Sequence, residues 1–410
     1  YIGTDLRLNG FSVEFLDAVE GNIPLTEILE VVQERRPRFV AMNVFTTNLH
    51  LVKELAVSID IKTHLVIGGL ATRTLRDQIL GWDTHVQLDL VHGDGDHIVT
   101  AIATEQALEC QHAGNNKRVI DVTTASPYFP HDISNIPLDR SLFPMASVKT
   151  VAGFREAPII TSRGCIYNCA FCSAARSLNR DLPVRERSPE SVAHEVAELC
   201  AMEMDITSIR VLDDLFLRDE RSVGRAVEMF SRSPITWRAM AHVLSFRKLS
   251  DSQLLELRQS GCREVFIGIE AGSPRILKMI HKTPDLDLIK NTIDRLFRVG
   301  IAVKGYFILG FNTETAEDMQ MTHDLAAWLS DSARKHDSTF RTSVFQFRPY
   351  HGTELYMTLQ NEGRMIDEIR YDNVLSHDIG RKQFNFTGGN FSEASDEDLQ
   401  RFIVAVNALN

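Results

Sequence analysis

The 410-residue chain is 44% hydrophobic and 24% charged, with a net charge of −11 and a pI near 5.7. That is enough to bury sizeable cores in two or three domains; no apolar run is long enough to cross a bilayer, and no signal-peptide pattern opens the chain. The acidity and the lack of a dense Lys/Arg block weigh against a nucleic-acid partner, and six cysteines are too few for a disulfide framework, which fits a reducing cytoplasm.

In chain order, Tyr1 stands inside a helical stretch, so the first strand of the opening domain is expected to precede it. "FSVEFLD" (residues 11–17) reads as a strand, followed by the helical "LTEILEVVQERR". "FVAMNVF" (39–45), "HLVIGG" (64–69) and "LDLVHG", ending at Gly93, alternate with the amphipathic "NLHLVKELAVSI", "TRTLRDQIL" and "DHIVTAIATEQALE". Apolar β-branched runs between amphipathic helices predict a parallel sheet covered on both faces. Ligands of such sheets lie beyond the strands' carboxyl ends, which here carry Thr46, Thr47 and Asn48, then Gly68 and Gly69, then Gly93, Asp94 and Gly95. Small residues there let a flat ligand approach the backbone; alternatively they only turn the chain.

Residues 113–156 break this rhythm. "ASPYFPHDISNIPLDRSLFP" holds four prolines and reads as an extended linker. Alternation resumes with the strands "PIITS" (158–162), "SIRVLDD" (208–214), "ITWRAMA" (235–241), "EVFIGIE" (264–270), "AVKGYFILG" (302–310) and "TSVFQF" (342–347), separated by amphipathic helices. Six strands with helical crossovers predict a complete or partial barrel whose site lies at the strands' carboxyl face. Residues 357–410 are less regular and close with the helical "SDEDLQRFIVAVNALN".

The first barrel strand leads into "TSRGCIYNCAFCSAARS". Cys165, Cys169 and Cys172 are spaced C-x3-C-x2-C, which lets one loop aim three thiolates at a common centre. Iron–sulfur ligation and zinc both suit such spacing. Structural zinc takes four ligands, and no fourth cysteine or histidine is adjacent, whereas three thiolates leave one iron of a cubane cluster open to substrate. Cys110, Cys200 and Cys262 stand singly and read as buried free thiols.

The cysteine loop, with Phe171 before its last cysteine, closely resembles the signature of the radical S-adenosylmethionine (SAM) superfamily. The resemblance implies that Cys165, Cys169 and Cys172 bind a [4Fe–4S] cluster whose unique iron chelates SAM, and that an electron from the cluster splits the sulfonium to give a 5′-deoxyadenosyl radical. "VLDDLF" (211–216) is similar to the family's second-strand motif, which implies that Asp213 and Asp214 lie near SAM or substrate; a helix cap or solvated turn is the plainer role. "FIGIEAGS" (266–273) is similar to the stretch along SAM's ribose and makes Glu270 the candidate acceptor for the ribose hydroxyls, with a structural ion pair as the alternative. "GYFILGFNTET" (305–315) resembles the glycine-rich turn near adenine, so Gly310 is a cofactor candidate, although Phe311 and Asn312 depart from the family pattern. "FRPYHGTELY" (347–356) resembles the stretch that shapes the pocket mouth. Arg238 and His242 are cavity-facing candidates or ordinary core groups.

The order of the domains, with "VAMNVFTTN", "VIGGLATRT", "LVHGDGDHIV" and "IPLDRSLFP", resembles the cobalamin-dependent branch of the superfamily. This implies an α/β chain: a Rossmann-like, doubly wound domain of the cobalamin-binding type (1–112), a linker (113–156), a radical SAM partial (β/α)6 TIM-type barrel (157–356) and a C-terminal extension (357–410). Thr46, Thr47, Asn48, Gly68, Gly69, Gly93 and Gly95 become corrin candidates. The D-x-H-x-x-G element that supplies a lower cobalt ligand in some relatives is absent. The implied reaction is methylation of an unactivated carbon of a small molecule, with SAM, the cluster and cobalamin as cofactors and a flavodoxin- or ferredoxin-like electron donor. Rivals are a non-methylating enzyme of the branch, a methylthiotransferase and a silent corrin-binding module. The acidity and the aspartate pair favour a cationic or neutral substrate.

Overall fold

The computed structural model describes residues 1–18, 21, 23–114, 116–142, 148–201, 205–365 and 389–409. Its first sheet joins β1 (Phe39–Asn43), β2 (His64–Gly68), β3 (Gln87–Gly93), β4 (Gln111–His112) and β5 (Lys117–Val122) in the order β1-β2-β3-β5-β4. All pairings are parallel except that of β4 with β5. The two-residue alternation of each strand sorts its apolar side chains into two cores. Leu65, Ile67, Leu88 and Leu90 pack on one face with Leu49, Val52 and Leu55 of the helix Leu49–Ser58. Val66, Val91 and Ile120 pack on the other with Ile98 and Ile102 of the helix Ile98–Ala103.

Three expectations change here. Residues 11–17 form no strand: their alternation suits one, but they join no β-ladder, and Phe15 and Leu16 are exposed. The helix expected through "DHIVTAIATEQALE" stops at Ala103, because Glu105 takes φ 56° and Gln106 N–H bonds back to Ala101 O, a left-handed stop that no glycine announces. Lys117–Val122, inside the stretch expected as linker, is a strand of the first sheet paired with β3.

The second sheet has the order β14-β13-β12-β11-β10-β7-β6. Its members are β6 (Lys149–Val151), β7 (Phe154–Ile159), β10 (Ser208–Val211), β11 (Thr236–Ala241), β12 (Cys262–Glu270), β13 (Ala302–Leu309) and β14 (Phe340–Gln346). The last six run parallel, and β6 closes the edge as an antiparallel hairpin arm. A two-residue ribbon, β8 (Ser162–Arg163) against β9 (Arg185–Glu186), pinches off the excursion that carries the three cysteines. Among the outer helices, Glu220–Phe230, Asp251–Gln259 and Ala316–Lys335 start with reciprocal capping boxes at Asp219, Ser250 and Thr315. Outward strand residues such as Ile209, Trp237, Val265 and Val303 pack under these helices in one core. Trp237 is fully buried, stacks on Phe230 at 5.0 Å and donates its indole N–H to Ser260 O. Of the C-terminal extension, residues 366–388 lie outside the described residues; the helix Asp396–Asn407 returns to the barrel and buries Leu399, Phe402 and Val406.

The carboxyl ends of the two sheets face each other. Arg163, in β8, binds Asp94 at 2.9 Å and also Asp96, both just beyond β3, and Arg185 reaches Asp94 at 2.8 Å. Arg73, beyond β2, binds Asp181 at 2.5 Å, and Thr46, beyond β1, meets His351 Nδ1 at 3.1 Å. Arg163 and the two aspartates are largely buried, so neither partner can be removed without stranding charge.

Candidate functional site

The cysteine loop is held by its own backbone and by the barrel. Cys172 N–H bonds to Cys169 O at 3.1 Å and Arg176 N–H to Tyr167 O at 2.9 Å. Ala170 N–H bonds to Ile280 O and Leu355 N–H to Ala170 O, which clamps the loop between two helices. Tyr167 stacks on His242 with ring centres 4.0 Å apart, and Phe171 packs 5.7 Å from Phe311. His242, read from the sequence as a cavity-facing candidate or an ordinary core group, is a buried packing partner beneath the loop that accepts Leu244 N–H. Burial pushes its pKa down to about 3, with the Lys282 ammonium adding to the effect.

All three loop cysteines are free and partly buried. Burial raises each thiol, Cys172 to about 12. A metal that binds here must therefore displace protons, and the apo thiols are weak nucleophiles. Among the described residues, no three His, Cys, Asp or Glu side chains converge on a point suited to a single ion. The donor set is three cysteine thiols on one loop, which suits a cubane cluster with one iron left open, whereas structural zinc takes four protein ligands.

The remaining candidates divide by what already occupies them. Asp213 is buried, and both of its oxygens accept hydrogen bonds, from Thr161 N–H (2.7 Å), Thr161 Oγ1 (2.6 Å) and Ser162 Oγ (2.6 Å). It ties the turn that launches the cysteine loop rather than offering an oxygen to a ligand. Asp214 is exposed and spends one oxygen on Gly164 N–H, at 3.0 Å. Glu270 ends β12 at φ 68°, an uncommon conformation for a non-glycine residue. Its carboxylate meets the Lys282 ammonium at 3.1 Å. Lys282, missed in the sequence, is nearly buried, and its ammonium also donates to Gly268 O. Burial opposes its charge, but Glu270 and the adjacent Cys169 outweigh that and raise its pKa. Gly310 (φ 94°) and Phe311 both donate N–H to Glu314, while the Phe311 ring is buried against Phe347.

Among the corrin candidates, Asn48 accepts Phe45 N–H and donates to Asn43 O, closing the turn after β1. Gly69 (φ 121°) and Gly93 (φ 100°) are required by packing: an added Cβ would stand 2.1 Å from Asn43 Oδ1 and 2.2 Å from Val122 O, respectively. Gly95 abuts Ile2, Thr46 is buried against His351, and Thr47 is half-buried. Gly68 differs, since a Cβ there would meet nothing within 4 Å.

Comparison with known proteins bears on this geometry. Residues 159–326 match the radical SAM superfamily. The chain is 26% identical over 358 residues to an uncharacterized methyltransferase of Pyrococcus horikoshii, covering 84% of this chain and 74% of that one. It is 22% identical over 394 residues to the anaerobic magnesium-protoporphyrin IX monomethyl ester cyclase of Cereibacter sphaeroides, covering 91% of this chain and 62% of that one. Its fold is similar to that of the radical SAM methyltransferase TsrM from Kitasatospora setae, solved with cobalamin and a [4Fe–4S] cluster bound (TM-score 0.62, 16% identity, 100% of this chain and 85% of that one). It is also similar to the cobalamin-dependent SAM radical enzyme OxsB (TM-score 0.65, 14% identity, 96% and 61%). The chain thus spans about three-fifths of the cyclase and of OxsB. The half-barrel and the pinched three-cysteine loop agree with the match of residues 159–326 to the radical SAM superfamily.

Proposed function

We propose that the chain is a cobalamin-dependent radical SAM enzyme that methylates an unactivated carbon of a small molecule. The observation that carries this is the opposition of the two sheets. The strand ends of the first, with the open approach at Gly68, face the loop of Cys165, Cys169 and Cys172 across the contacts made by Arg163, Arg185 and Thr46. When bound, the cluster and SAM supply a carbon radical and the corrin carries a methyl group. In this reading the three cysteines hold the cluster, and Lys282 keeps Glu270 turned toward the ribose site. Asp213 and Arg163 fix the loop and its distance from the first sheet, and Gly68 leaves room for a flat ring. The proposal includes a cytoplasmic setting and a flavodoxin- or ferredoxin-like electron donor. No helix among the described residues is long and apolar enough to cross a membrane.

The test is anaerobic reconstitution with iron, sulfide and hydroxocobalamin, followed by product analysis with candidate substrates. S-adenosylhomocysteine and 5′-deoxyadenosine appearing together support methyl transfer. Deoxyadenosine from a protein that takes up no corrin would move the assignment to a non-methylating reaction.

A further inference from the structure

The floor of the half-barrel is cationic. Strand register puts Arg210, Arg238 and Glu264 on one rung and Phe266, Lys304 and Arg341 on the next. Their chain neighbours Ile209, Trp237, Val265 and Val303 point outward into the core, so these six side chains face the concave interior. Among the described residues, the floor's carboxylates are Glu156 and Glu264, and arginines already engage both. Glu156 accepts a two-pronged contact from Arg238 (2.5 and 2.6 Å) and a third bond from Arg263. Glu264 accepts from Arg238 at 3.0 Å and from Arg341 Nε at 3.0 Å. Among the described residues, Arg210 and Lys304 form no ion pair. Instead they lie over aromatic rings, Arg210 5.8 Å from Phe266 and Lys304 5.2 Å from Tyr306. Burial pushes Lys304 down to about 8, and the nearby Arg341 adds to the effect.

Above this floor the lumen wall is apolar and open. Leu212 is 47% exposed, and Met240, Tyr306 and Ile308 are half-buried at inward positions. Glu270, at the ribose site proposed above, stands four residues beyond Phe266, about 13 Å by strand rise. The distance suits a molecule that keeps one end at the floor and the other near the cysteine loop.

We infer that Arg210 and Lys304 form an anion-binding handle, and that the substrate is a largely apolar molecule whose carboxylate or phosphate sits on it. This rests on the proposed function, since it assumes that the lumen is the substrate site, and it reverses the cationic or neutral substrate that the net charge suggested. The floor, where Arg210, Arg238, Arg263, Lys304 and Arg341 outnumber Glu156 and Glu264, has the opposite sign to the chain's net charge.

The test uses anaerobically reconstituted protein and equilibrium dialysis with naphthalene-2-carboxylate, its neutral amide, and 2-naphthyl phosphate. The carboxylate or the phosphate should bind at least about tenfold more tightly than the amide, the discrimination expected of one charge-assisted contact. Lys304→Gln and Arg210→Gln should each erase most of that preference without changing amide binding, and Lys304→Arg should restore it. The two anions together separate a carboxylate handle from a phosphate handle. Equal binding of amide and anions, equal losses for all probes in both variants, or no binding by any probe would overturn the inference and leave the cations as braces of the barrel floor. Iron content and SAM cleavage are read on the same samples. Protein that holds a cluster but fails to discriminate sinks only the handle, whereas protein that discriminates but holds no cluster sinks the functional reading.

Discussion

The two sheets present their carboxyl ends to the same space, but they spend their residues differently. In the first, the conspicuous residues at the strand ends mostly serve the chain itself: Gly69 and Gly93 fit where no Cβ could, and Asn48 closes its own turn. Gly68, by contrast, opens onto clear space. In the second, the charged groups sit inside the barrel, some neutralised in pairs and some not. A motif at a strand end therefore says less about a ligand than the count of what remains unpaired after the fold has taken its share.

The largest expected break is Cys169→Ala, which should abolish both cluster assembly and 5′-deoxyadenosine formation, read by iron analysis and chromatography. Unchanged turnover would remove the loop from the chemistry. Next is Arg163→Gln, which strands Asp96 at the junction of the sheets and leaves Asp94 to Arg185 alone. Loss of about 3 kcal/mol of stability is expected in urea denaturation, with corrin uptake falling further than cluster content. Third, Gly69→Ala and Gly68→Ala should part company. The first forces a Cβ against Asn43 and is expected to cost about 2 kcal/mol, while the second should stay within about 1 kcal/mol of the parent yet weaken corrin uptake. Equal effects would erase the distinction between a packing glycine and a ligand-facing one.

The smallest effect is a pH dependence. His242 stays neutral in the folded chain down to about pH 3, while the unfolded chain protonates it near its ordinary value of 6.5. The unfolded state binds the extra proton in that window, so stability falls as pH drops below about 6.5, by at most about 1.4 kcal/mol per unit from this residue. His242→Gln should flatten that slope in denaturation curves taken at pH 7.5 and 5.5; an unaltered slope would mean that the imidazole is not buried under Tyr167.

Much of this was legible in the sequence because the signals were local. C-x3-C-x2-C lies on one loop, and the barrel strands show as apolar runs between capped helices. What was not legible depended on partners distant in the chain. Residues 11–17 alternate correctly yet have no ladder partner, and the strand Lys117–Val122 starts with two charges and hides in a proline-rich stretch. Lys282 carries no pattern of its own and matters only because Gly268 and Glu270 fold back onto it. The Arg210–Lys304 floor did leave a trace: "SIRV", "TWRAMA" and "AVKGYF" each place one cation within an apolar strand, the mark of an inward position. Its unpaired charge could be counted only once the register was known.

The central claim is that one cavity holds a four-iron cluster on the cysteine loop and a corrin on the opposing strand ends. Metal analysis of a single anaerobically reconstituted, desalted sample tests it directly. The account predicts about four irons and one cobalt per chain, with the iron lost and the cobalt kept in Cys169→Ala. Tightly bound zinc in place of iron, or iron without cobalt, would contradict it.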